Sequence, residues 1–118
     1  MKKDNIVKTK SFEFAVRIVN LYKYLSESKK EFVLSKQVLR SGTSVGANIR
    51  EAINAESKAD FIHKLSIAQK ECDETIYWIE LLFATDYLNK DEFESINEDA
   101  VSMIKIIKSI IIKSKNSK

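Results

Sequence analysis

The chain contains no proline and only two glycines in 118 residues. Sheets with tight turns usually need glycine or proline at their corners, so this scarcity argues against β-sandwiches, barrels and Rossmann-type α/β domains. Glycine-rich phosphate loops are excluded, because a dinucleotide fingerprint needs three glycines and a Walker loop needs Gly-Lys-Ser/Thr. The length fits one domain. We therefore expect a single all-α domain over 1–118, frayed at 1–9 and 114–118.

Apolar residues recur at helical spacing in four segments. The predicted helices cover 10–26, 34–55 and 57–88, and a fourth follows a cap at 89–92 and runs to 114. Ser57 with Asp60 resembles a capping box at the start of the third helix. In that helix, apolar residues from Phe61 to Phe83 alternate near every 3.5 residues, which is typical of a bundle seam. The pattern predicts an antiparallel up-down four-helix bundle.

The first predicted helix carries nearly two apolar stripes, whereas a helix of a small monomeric bundle needs only one. One stripe is Phe14, Ile18, Leu21 and Leu25. The second stripe is Phe12, Ala15, Val16, Val19 and Tyr22. Isoleucines also widen the apolar stripe of the fourth helix. This surplus predicts a second burial partner.

Both glycines, Gly42 and Gly46, lie four residues apart on the apolar face of the second predicted helix. Glycine inside a helix costs about 1 kcal/mol relative to alanine. Close packing against a neighbouring helix would compensate for that cost; the alternatives are a weak point, a bend, or a break near Gly42. Small polar residues beside the stripe predict a structural polar strip that fixes helix register, formed by Ser41, Ser44, Asn48, Glu51 and Glu74.

Charge is divided into blocks along the chain. Residues 1–50 carry 11 Lys/Arg against 4 Asp/Glu, residues 51–99 carry 4 against 13, and residues 100–118 carry 5 lysines and no acid. Such blocks favour packing of basic against acidic helices, although solvated faces would give the same pattern. The basic ends also suggest contact with nucleic acid or a partner. The candidate contacts are Lys8, Lys10, Arg17, Lys23, Arg40 and Arg50.

Residues for catalysis are few. His63 is the only histidine, and helical spacing places it on the outermost face of the third helix. Asp60-x-x-His63 echoes half of a di-iron motif, but such sites need two motifs that face inward. Cys72 falls on the seam, where a buried cysteine acts as a small hydrophobe. We expect no catalytic residues, no cofactor and no metal.

The single cysteine fits a reducing compartment. No hydrophobic signal region follows Lys2-Lys3, and no apolar run approaches the ~18 residues of a membrane span. The sequence therefore predicts a cytoplasmic protein that does not bind membranes. Surface attachment through the Ile- and Lys-rich fourth helix is the alternative that this pattern leaves open.

The segment from Arg40 to Glu51 and parts of the third helix resemble a family of bacterial four-helix bundle proteins, the 23S rRNA intervening-sequence proteins. The likeness covers 12–88. The family signature falls here on Arg40, Ser44, Asn48-Ile49-Arg50-Glu51, Ser57 with Asp60-Phe61, and Glu74. Many members have glycine after the Asn-Ile-x-Glu motif, where this chain has Ala52.

The resemblance implies an antiparallel bundle that forms a homopentameric ring, as several members do. Some members are encoded within insertions in the large ribosomal RNA gene. A related group are retroelement accessory proteins that bind a reverse transcriptase and nucleic acid. The resemblance implies no enzymatic activity. The expected function is a self-assembling bundle that binds nucleic acid or a nucleic-acid-processing protein, and the alternative is a protein interaction module that binds no nucleic acid.

Overall fold

The computed structural model describes residues 2–117, with side chains for residues 6–117. Its helices are α1 (Lys2–Lys23), α2 (Leu34–Ile53), α3 (Lys58–Ala84) and α4 (Lys90–Asn116), and one π-helical turn, Tyr24–Ser28, extends α1. There is no strand within 2–117. The all-α prediction with four helices is confirmed, whereas fraying at 1–9 and 114–118 stays a prediction.

Two helix boundaries differ from the predicted ones by four residues or more. The first helix begins at Lys2 rather than near residue 10, and its early turns bring Val7 into the core. The third helix ends at Ala84 rather than residue 88, because Asp86 adopts a left-handed conformation with φ of 70°. A left-handed residue stops an α-helix, and the N–H groups of Thr85 and Asp86 bond back into its last turn.

Contacts along the bundle show that neighbouring helices run antiparallel. The thiol of Cys72 in α3 donates a hydrogen bond to the Ala100 carbonyl of α4 at 3.3 Å, and further along the same pair Phe83 stacks on Phe93. Glu51 near the end of α2 pairs with Lys64 near the start of α3. The result is a rod of 49 × 21 × 20 Å.

The core follows the predicted seam of α3. Leu65, Ala68, Thr75, Ile79 and Leu82 are all buried, as is Cys72 between them. Burial raises the pKa of the Cys72 thiol to about 12. Such a thiol stays protonated at neutral pH and is a poor nucleophile, which confirms Cys72 as a core residue.

Side-chain caps begin three of the helices, and two were predicted from the sequence. Ser57 accepts a hydrogen bond from the Asp60 N–H, and Asn89 with Glu92 forms a reciprocal capping box. The third cap, on α2, comes from Glu31, in the segment predicted only as a polar connection. Its carboxylate accepts bonds from the Val33, Leu34 and Ser35 N–H groups, at 3.2, 3.0 and 2.7 Å.

The carboxylate of Glu31 should make stability depend on pH. Burial raises its pKa, but the three N–H bonds outweigh burial and hold the pKa below its ordinary value. A depressed folded-state pKa gives stability that is present above the unfolded pKa and is lost as pH falls through the folded pKa.

We therefore expect Glu31→Gln to lower the free energy of unfolding by about 1 kcal/mol at pH 7, because the amide accepts weaker hydrogen bonds. The gap from wild type should narrow near pH 3, where the wild-type carboxyl group is itself being protonated. Urea titrations at both pH values measure this. Glu27→Gln, an exposed change in the same connection, is the control; an equal loss in both variants would contradict the capping role.

Candidate functional site

The two glycines lie where α2 meets α1. A Cβ atom on Gly42 would fall 2.7 Å from both γ carbons of Ile18, a fully buried side chain. A Cβ atom on Gly46 would fall 3.3 Å from the carbonyl oxygen of Ser11. Gly42 therefore makes room for the side chain of Ile18, and Gly46 makes room for the backbone at Ser11. Helix α2 is not broken at either glycine and continues to Ile53.

The predicted polar strip divides into two kinds of contact. Ser41 is buried and its hydroxyl accepts a hydrogen bond from Thr75 of α3 at 2.9 Å. Ser44 and Asn48 instead donate to carbonyl groups of their own helix, at 2.7 and 2.9 Å. Of these three residues, only Ser41 therefore links α2 to α3. The sequence pattern placed its partner, Thr75, in the seam but did not predict this hydrogen bond.

Two of the candidate arginines are engaged with carboxylates. Arg40 of α2 pairs with Glu71 at 3.2 Å and with Glu74, whose other neighbour is the indole N–H of Trp78. Arg17 of α1 donates to Asp99 at 2.6 Å and also bonds Ser95 of α4. Both arginines therefore bridge helices at the surface. Such exposed pairs contribute modestly to stability and leave less positive charge for a ligand.

The outer face of α1 is apolar and open to solvent. Phe12 is 58% exposed and Val16 is 46% exposed, while Ala15, Val19 and Tyr22 on the same face are half-buried. The guanidinium group of Arg50 lies 5.7 Å from the centre of the Phe12 ring, which places a cation at one edge of this face. The second stripe of the first helix is thus left uncovered within one chain.

Because the helices run antiparallel, the charge blocks of the sequence give the two halves of the rod opposite net charges. We call the part where α1 begins and α4 ends the basic half: residues 6–14, 46–70 and 101–117. It carries ten Lys/Arg and four Asp/Glu, and the remaining described side chains carry seven and twelve. We use the name lysine cluster for the exposed lysines that α1 and α4 contribute to this half: Lys8, Lys10, Lys105, Lys108, Lys113 and Lys115.

The candidate cations are therefore not equivalent. Lys8 and Lys10 belong to the lysine cluster, Arg50 lies in the same half over Phe12, and Lys23 lies in the opposite half. The four C-terminal lysines of the cluster were not among the named candidates, although the basic end that carries them was expected to contact nucleic acid. The fold places α4 beside α1. Helical spacing alone does not predict that α4 lies beside the start of α1, because the spacing does not show which helices are neighbours.

The described residues offer little for chemistry. His63 is exposed on α3, as the spacing predicted. Among the side chains of 6–117, no group of three or more His, Cys, Asp or Glu residues is arranged to hold a metal ion. Over the part of the chain that the structure covers, no helix has both the length and the apolar character that crossing a membrane requires.

The fold and sequence match known proteins along most of the chain. A crystal structure of a protein of unknown function from the S23 ribosomal protein family of Bacteroides thetaiotaomicron VPI-5482 superposes with a TM-score of 0.91. The two are 63% identical, and the match covers 92% of this chain and 97% of that one. No curated protein matches the chain. The family described as 23S rRNA-intervening sequence protein matches residues 3–109, beyond the predicted 12–88. The chain belongs to the 23S rRNA-intervening sequence protein family.

Proposed function

We propose that this protein is a non-enzymatic helical bundle that assembles into a ring and binds nucleic acid through its basic half. The observation that carries the binding proposal is the lysine cluster, in which exposed lysines from both ends of the chain lie in the same half of the rod. Phosphate groups are attracted by such a concentration of positive charge without any base-specific contact.

Assembly is supported by the uncovered face of α1. An apolar surface that includes a phenylalanine 58% exposed to water is stabilised when another chain covers it. The resemblance to members that form homopentamers favours a ring of five. A ring would repeat the lysine cluster once per subunit and so strengthen the field that attracts a polyanion.

A second candidate function, a protein interaction module without nucleic-acid binding, is favoured by a different observation. Arg17 and Arg40 are already paired with carboxylates, so part of the positive charge is neutralised within the chain. Charge paired in this way is typical of surfaces that maintain a fold or meet another protein. In the first candidate function the lysine cluster binds nucleic acid, and in the second it does not.

Charge reversal in the lysine cluster separates the candidates. We expect Lys105→Glu combined with Lys108→Glu to weaken binding of fluorescein-labelled single-stranded RNA or DNA by about tenfold or more. Fluorescence anisotropy across a salt series measures this, and wild-type affinity should fall steeply as salt rises. Both lysines are exposed, so the bundle should still fold.

The matched control is Lys23→Glu with Lys36→Glu, which changes the charge equally in the opposite half. Its affinity should stay within about threefold of wild type, because those side chains lie away from the lysine cluster. Equal losses in both double variants would mean that net charge alone drives binding. No binding by the wild type even at low salt would favour the protein interaction module.

A further inference from the structure

A groove of about 300 Å³ lies between the first turns of α1 and the last turns of α4. It is lined by Ile6 of α1 and by Lys105, Ile106, Ser109, Ile110 and Lys113 of α4. Ile6 is 53% exposed, so the groove presents an isoleucine to water. Burial of that side chain by a partner would be favourable.

The side chains of α4 are ordered in two rows along this groove. Lys105, Ser109 and Lys113 recur every four residues and form one row, and Ile106 with Ile110 forms the next. The lysine row extends about 12 Å, since a helix rises about 1.5 Å per residue. That length matches about two turns of a second helix laid along the groove.

We infer that this groove docks an acidic amphipathic helix of a protein partner. A helix with apolar residues at positions i, i+3 or i+4, and i+7 would cover Ile6, Ile106 and Ile110. Acidic residues beside that stripe would meet the ammonium groups of Lys105 and Lys113, and the excess positive charge of the basic half favours the same partner. The apolar stems of the lysines extend the contact.

Two other occupants fit the groove less well. A nucleic acid would use the lysines but would bury little of the isoleucine surface through its phosphate backbone. A second copy on the outer face of α1 would lie elsewhere, since Phe12 is six residues from Ile6 and therefore about 120° away around the helix. The groove therefore lies outside the α1 face proposed for assembly, and it adds a protein partner to the proposed nucleic-acid function.

The test uses the full chain and two labelled synthetic helical peptides of 18 residues. Both carry leucine at helical spacing, one flanked by glutamate and the other by lysine at the same positions. Fluorescence anisotropy should show that the protein binds the glutamate peptide and does not bind the lysine peptide. Ile6→Ser should weaken that binding about tenfold, and Lys105→Glu with Lys113→Glu should abolish it.

The control is Ile112→Ser, because Ile112 is 58% exposed on α4 but does not line the groove. It should leave the peptide affinity unchanged. Ile6→Ser should also leave the affinity for single-stranded RNA unchanged, so that failure of the groove and failure of the nucleic-acid proposal give different results.

Three outcomes would overturn the inference. The first is no binding of the glutamate peptide at millimolar concentration, and the second is equal binding of both peptides. The third is flotation of the protein with anionic phosphatidylserine vesicles that Ile6→Ser abolishes, in the absence of peptide binding. That result would make the groove a membrane contact.

Discussion

Gly42→Leu is expected to lower the free energy of unfolding by about 3 kcal/mol or more. A β carbon at this position already falls 2.7 Å from two carbons of Ile18, and Ile18 is fully buried and branched, so it has no room to rotate away. A leucine adds three more carbons at the same contact. Thermal unfolding followed by circular dichroism should show a Tm lowered by more than about 10 °C.

Two milder variants set the scale for this effect. Gly42→Ala should destabilise by about 1 kcal/mol, because the gain in helix propensity offsets part of the clash. Gly46→Ala needs the Ser11 carbonyl group, 3.3 Å from the added carbon, to move only slightly. Its stability should stay close to wild type. A Gly42→Leu protein with the same Tm as the wild type would show that α1 and α2 are not packed closely at Ile18.

Phe12→Glu combined with Val16→Glu is expected to convert the proposed assembly into single chains. Both side chains lie on the exposed face of α1, so a subunit contact would bury two carboxylates. Arg50, which lies beside position 12, pairs with at most one of them. The double variant should remain helical, because neither residue belongs to the buried core. Sedimentation velocity should show the loss of the assembled species, and circular dichroism should show the helix content retained.

Tyr77→Glu provides the matched control for this loss of assembly. Tyr77 is 55% exposed on α3, so the variant also replaces an exposed aromatic residue with a carboxylate. It should assemble like the wild type. If Tyr77→Glu dissociated the assembly as fully as the α1 double variant, the contact would not be specific to α1.

Much of the fold could be predicted because helical spacing reports which residues are buried. The seam of α3, predicted from Phe61 to Phe83, followed from the alternating three- and four-residue steps. The structure buries it between Leu65 and Leu82, whereas Phe61 is half-buried and Phe83 is 37% exposed. The cap at Asn89 followed from a polar residue placed three before Glu92. The double stripe of α1 separated into a buried row with Ile18 and an exposed row with Phe12.

The remaining features depend on contacts between segments far apart in the chain. Glu31 caps α2 from outside the helix, through a loop in which Lys30 has a positive φ of 56°, and no spacing rule marks such a cap. The pairing of Arg17 with Asp99 requires α1 and α4 to be neighbours. The same adjacency creates the lysine cluster and the Ile6 groove, whose members are about a hundred residues apart in sequence.

The molar mass of the wild-type protein in solution is the measurement that decides whether the chains assemble as proposed. Light scattering coupled to size-exclusion chromatography should give about 68 kDa, five times the 13.6 kDa of one chain. A mass of 13.6 kDa at all concentrations tested would contradict assembly, and would leave Phe12 and Val16 exposed on a monomer.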